Sequence, residues 1–95
     1  MSSRRHLARV VVMQSLFVMY SRPDIDVQKE LEKNISDLGG VTEVDTEHAE
    51  LLLGGVVQHK EAIVTELQLR APQWPIERMD TVTRTILFLG VYELL

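Results

Sequence analysis

The chain has 95 residues, 45% of them hydrophobic, 25% charged and 5% aromatic, with a formal net charge of −4 and no cysteine. This size and composition describe one small globular domain over residues 1–95, and the missing cysteines exclude disulfides, thiolate metal sites and a cysteine nucleophile. The longest apolar runs, residues 10–13 and 86–89, fall far short of the ~20 residues of a membrane span. No membrane association and a cytoplasmic location are therefore expected.

The first element is a helix from a cap at Ser2 or Ser3 to about Tyr20, ended by Arg22-Pro23, because the residue before proline disfavours the helical basin. Gln14 and Ser15 interrupt its apolar part and no small-residue cleavage site follows, which argues against a signal peptide. Beyond its first turns this helix is apolar on most sides and is expected to lie in the core with only its N-terminal end wet. That end is basic. Residues 1–22 hold Arg4, Arg5, Arg9 and Arg22 and no acid, whereas residues 24–50 hold nine acids against Lys29 and Lys33. Such asymmetry points to a polyanion at the N-terminal end, the plainer reading being a solvated helix end.

A polar segment, residues 24–26, leads into a second helix from about Val27 to Leu38, stopped by Gly39-Gly40. Asp45 or Thr46 caps a long third helix with Ala49, Leu52, Leu53, Val56, Ile63 and Leu67 as its apolar stripe. Gly54-Gly55 in its middle suits close helix packing or a break into two helices there. Pro72 and Pro75 bracket a rigid connection, a short turn covers residues 76–79, and Asp80 or Thr81 caps a final helix. Ile86, Leu87, Phe88, Leu89, Val91, Tyr92, Leu94 and Leu95 make that helix apolar nearly all round, so it requires cover from a further segment, a second copy or a partner. The fold class is all-α, a bundle of about five helices.

Catalytic and metal chemistry find no support. His48 and His59 are eleven residues apart, roughly 16 Å along a helix at ~1.5 Å per residue, and cannot ligate one ion. Neither glycine pair has the lysine and preceding strand of a phosphate loop, and Ser15 and Ser36 lack a nucleophile elbow. No cofactor is expected. In the first helix, Arg5 and Arg9 are spaced i, i+4 with His6 beside them and Arg4 round the corner. Arginines with helix N-terminal amides can hold phosphates or stack on splayed bases of single-stranded RNA. Further along, Gln14 suits a base edge and Phe17 a stacking surface, with burial in the core as the alternative for Phe17.

These residues resemble a known family. The run Arg4-Arg5-His6-Leu7-Ala8-Arg9 with Gln14-Ser15-Leu16-Phe17 is similar to the first helix of the NusB family of bacterial transcription antitermination factors. Gly55-Val56 followed by His59 resembles its central helix. Trp74-Pro75-Ile76-Glu77-Arg78-Met79, then Val82, Arg84, Ile86-Leu87, Gly90 and Tyr92-Glu93-Leu94-Leu95, resembles its most specific signature.

The resemblance implies an all-helical fold that binds boxA RNA of ribosomal RNA leader transcripts together with NusE, a small ribosomal subunit protein, within the RNA polymerase antitermination complex. Matched residue by residue, Arg4, Arg5, His6, Arg9, Gln14 and Phe17 fall at the RNA-facing end, Phe17 replacing a common tyrosine. The first turn of the last helix, with Thr81, Thr83 and Arg84, falls at the NusE contact. Two positions depart from the pattern, since Thr83 and Val64 stand where the family usually has acids. The family continues beyond Tyr92-Glu93-Leu94-Leu95 into further C-terminal helices, so the chain is expected to be truncated there and to dimerise through its last helix. Alternatives are the NusB-like N-terminal domain of a ribosomal RNA cytosine methyltransferase and a dimerising helical domain without RNA binding.

Overall fold

The computed structural model describes residues 3–95, so a capping role for Ser2 lies outside the described residues. Five α-helices follow one another, α1 (Ser3–Ser21), α2 (Val27–Asp37), α3 (Thr46–Gln58), α4 (Lys60–Arg70) and α5 (Thr81–Leu94), with single 3-10 turns at Gly40–Thr42 and Ile76–Arg78. No strand occurs among the described residues, and no helix is long and apolar enough to cross a membrane.

Local chemistry explains most of the boundaries. Asp26 caps α2 by accepting hydrogen bonds from the Gln28 and Lys29 amides, Asp45 caps α3 through the His48 amide, and Asp80 caps α5 through the Thr83 amide. The chain leaves α2 through Gly39 and Gly40 at φ +110° and +76°, a left-handed path that a side chain would resist.

Helix α1 is the centre of the bundle and packs against α2, α3 and α5, while α4 lies on α5. Its Ala8, Val11, Val12 and Leu16 are fully buried, against Leu31 and Ile35 of α2, Leu52, Leu53 and Val56 of α3, and Phe88 and Leu89 of α5. One polar pair sits in this core. The Ser15 hydroxyl donates to the Val11 carbonyl at 2.7 Å and accepts from the Asn34 amide nitrogen at 3.0 Å, so both buried groups are satisfied.

Two expectations are corrected. The long central helix does divide, but at His59 rather than at Gly54-Gly55. His59 leaves the helical basin with φ −105° and ψ 24°, and its backbone N–H and ring Nδ1–H both reach the Gly55 carbonyl at 2.9 Å. Gly55 stays helical because its missing side chain serves packing: a Cβ there would collide with the Tyr92 ring of α5. Likewise α1 is not wet at its N-terminal end alone, since Gln14 and Phe17 emerge on its outer side, with Phe17 42% exposed.

The final helix buries Thr85, Phe88 and Leu89 and leaves an outer apolar side uncovered, with Val82 and Ile86 more than half exposed and Leu94 88% exposed.

Candidate nucleic-acid interface

The basic end of α1 is tied to the segment that leads into α3. The Arg4 guanidinium donates to the Val41 and Val44 carbonyls at 2.8 and 3.3 Å, and the Asp45 amide donates to the Arg4 carbonyl at 3.1 Å. Arg4 is therefore a clamp on the loop as well as a charge. Arg5 projects outward, with 68% of its side chain exposed and its Nε 3.7 Å from Asp45 Oδ2, a loose surface contact. His6 is exposed beside it.

Arg9 behaves differently from what its i, i+4 spacing to Arg5 suggests. Its Nε and Nη2 grip the Glu93 carboxylate of α5 in a fork, at 3.0 to 3.2 Å. The hydrogen bond to Glu93 raises the Arg9 pKa still further, against a smaller opposing effect of burial. Its charge is compensated within the fold. No local pattern could reveal Glu93 as the partner, because 84 positions separate the two residues.

Gln14 and Phe17 flank a groove between α1, α2 and α5 of about 520 Å³, whose other walls include Met13, Glu30, Val82 and Ile86. Phe17 is thus an exposed ring on a solvent-facing groove and not a core residue, which keeps the stacking role open and removes the alternative of burial. His6, Gln14 and Phe17 fall within about 80° of one another around α1, with Arg5 turned towards Asp45, so a strand of nucleic acid could meet the basic end first and a ring and an amide further on.

The residues expected at a protein contact sit at the other end of α1. Thr81 opens α5, and the Thr83 hydroxyl donates to Asp80 Oδ2 at 2.9 Å. Hydrogen bonds from the Thr83 amide and then its hydroxyl hold the Asp80 carboxyl below its ordinary pKa. Arg84 is half-buried under two rings, with its guanidinium carbon 5.7 Å from the Tyr20 centroid and 5.6 Å from that of Phe88. Its Nη2 donates to the Ile76 carbonyl at 2.9 Å. Sequence reasoning missed this aromatic setting, since Tyr20, Ile76 and Phe88 converge only in the folded chain.

His59 belongs to the joint between α3 and α5, its ring 5.7 Å from that of Tyr92. Among the described residues no group of three or more His, Asp or Glu side chains could hold a metal ion.

The chain is 39% identical over 90 residues to a transcription antitermination protein NusB of Bdellovibrio bacteriovorus, covering 95% of this chain and 64% of that protein. It is 33% identical over 93 residues to a NusB of Bacillus cereus, covering 96% and 67%, and 27% identical over 95 residues to one of Chloroflexus aggregans, covering 100% and 62%. The chain thus spans a little under or about two thirds of the length of these relatives. No solved structure matches. A sequence model of the NusB family matches residues 6–95, from His6 at the basic end of α1 to the close of α5, and on that match the chain belongs to the NusB family.

Proposed function

We propose that this chain is a non-enzymatic, cytoplasmic RNA-binding domain of transcription antitermination that binds boxA RNA of ribosomal RNA leaders and works jointly with NusE in the RNA polymerase antitermination complex. The observation that carries the reading is the exposure of Phe17 and Gln14 on the same helix as the outward-facing Arg5 and His6. Arg4, Arg5 and His6 form the cationic end, to which Arg9 adds only when released from Glu93; Gln14 and Phe17 form the base-contacting part, and Thr81, Thr83 and Arg84 the NusE side. Similarity to relatives named as antitermination proteins supports the assignment.

Fluorescence anisotropy with a labelled boxA-like oligonucleotide tests it. Stacking on a protein ring contributes about 1–3 kcal/mol per base, so Phe17→Ala should weaken binding roughly 5- to 150-fold while leaving the helical content unchanged. Coupling with NusE should be reciprocal at about 1–3 kcal/mol. Equal affinity of wild type and Phe17→Ala, together with no effect of NusE on the RNA dissociation constant, would refute the reading.

The exposed apolar side of α5 favours a second property of the chain as it stands. Val82 and Ile86, each more than half exposed beside Phe17, offer an apolar face that a second copy can cover about a two-fold axis. Sedimentation at micromolar concentration should show dimers that Ile86→Glu dissociates, and a strictly monomeric wild-type chain would exclude this.

A further inference from the structure

At the end of α1 remote from the basic cluster, three donors line one cleft without a carboxylate partner, although Arg84 Nη2 already donates to the Ile76 carbonyl. Arg84 and Lys60 line a cleft of about 320 Å³ together with Tyr20, and Met19, Pro23 and Val56 form its apolar walls. Neither Arg84 nor Lys60 forms an ion pair among the described residues. The Arg84 Nε is buried with no hydrogen-bond partner, which is a costly state for a charged donor. Burial, only partly offset by the nearby Arg84 charge, pushes the Tyr20 phenol up to about 12, so its hydroxyl stays protonated and available to donate. The Tyr20 and Phe88 rings, edge to face at 5.8 Å, hold the guanidinium in place and leave the N–H groups not bound to the Ile76 carbonyl for a ligand.

We propose that the cleft formed by Tyr20, Lys60 and Arg84 binds the carboxylate of an acidic side chain on a protein partner. A planar carboxylate matches the fork of the guanidinium edge, Lys60 supplies a second charge, and the aliphatic stem of the acid packs on Met19 and Val56. The surroundings disfavour a polyanion. Glu77 lines the adjoining pocket together with Lys60 and Arg84, so a continuing phosphate backbone would meet repulsion there where one isolated carboxylate would not. Between Arg4 and Tyr20 α1 advances 16 residues, about 24 Å at ~1.5 Å each, so the cleft is separate from the basic cluster, and neither Gln14 nor Phe17 lines it. The proposal deepens the protein-partner part of the function proposed above, with which it shares Arg84, and does not depend on RNA binding.

The test is a titration of the 95-residue chain with the blocked tripeptide acetyl-Leu-Glu-Leu-amide, followed through the Arg84 Nε–H signal and the Lys60 amide in proton–nitrogen correlation spectra. Both signals should move and saturate. The glutamine counterpart should bind about tenfold or more weakly, the worth of a hydrogen bond to a charged group. Lys60→Gln, a change at an exposed position, should weaken the glutamate peptide roughly threefold. Arg84→Lys, which keeps the charge and loses the fork, should weaken it further at unchanged helical content. No movement of Arg84, an equal response to both peptides, or an equal affinity in Lys60→Gln overturns the proposal, as does inorganic phosphate saturating the cleft at lower concentration than the peptide. Failure here leaves the anisotropy measurements with boxA RNA untouched, because those read Phe17 and the basic cluster, none of which lines the cleft.

Discussion

Replacing Gly55 by alanine sets two effects of similar size against each other, and the contact between α3 and α5 decides the sign. Alanine gains about 1 kcal/mol over glycine inside a helix. Its methyl group, however, would occupy space now filled by the Tyr92 ring. That ring also packs near His59, with centroids 5.7 Å apart, so it cannot swing aside without disturbing the residue that separates α3 from α4. Overpacking of this kind costs about 1–3 kcal/mol, more when backbone must shift. The net expectation is a loss of up to about 2 kcal/mol, or a fall in Tm of up to roughly 15 °C for a domain of this length. The neighbouring glycine supplies the control. A Cβ at Gly54 meets nothing within 4 Å, so Gly54→Ala should keep the helix gain and raise Tm by several degrees. Thermal and urea unfolding followed by circular dichroism measure both. Adding Tyr92→Ala to Gly55→Ala should cost less than Tyr92→Ala alone, since the collision has gone. If Gly55→Ala stabilises the protein as much as Gly54→Ala, the account of Gly55 as a packing notch is wrong.

The Arg9–Glu93 fork makes a prediction about salt. Each phosphate neutralised on a single strand contributes about −0.7 to the slope of log affinity against log salt. Arg5→Ala should flatten that slope by roughly 0.7, Arg9→Ala should change it little, and Glu93→Gln should steepen it by freeing Arg9; an Arg9→Ala effect as large as that of Arg5→Ala would show that the fork opens on RNA. Tyr20 predicts an alkaline limit. Its phenol ionises near its ordinary pKa of 10.0 in the unfolded chain and at about 12 in the folded one, so the unfolded state sheds its proton first. The stability due to Tyr20 is complete below about pH 10 and lost between 10 and 12, and Tyr20→Phe should remove that component from urea midpoints measured across this range.

The helices and their ends were legible because their causes are local. Asp45 and Asp80 precede apolar stripes as capping residues do, Gly39-Gly40 offers the left-handed path out of α2, and the i, i+3, i+4 positions of α3 reappear as buried Ala49, Leu52, Leu53 and Val56. The resemblance in the first and last helices was equally readable from contiguous residues. What escaped was every feature that joins distant parts of the chain. Arg9 looked like a free cation until Glu93 was placed opposite it, and Arg84 looked like a surface residue until Tyr20 and Phe88 closed over it. The site of the central break is an intermediate case. Two adjacent glycines advertise flexibility, yet one is held by the Tyr92 ring, and His59 bends the chain by turning its ring back to the Gly55 carbonyl.

The central position of α1 has a consequence for how the protein is made. The helix that touches α2, α3 and α5 is synthesised first, and the Glu93 that closes on its Arg9 emerges 84 residues later. At about 5–20 residues per second, that interval lasts roughly 4–17 s on the ribosome. Throughout it Val12 and Leu16 cannot meet Phe88 and Leu89, and only the nearer α2 and α3 can shelter them. A nascent chain in this state leaves the side of α1 that faces Phe88 and Leu89 without its cover. The contacts that join α1 to α5 can therefore form only after α5 has been made.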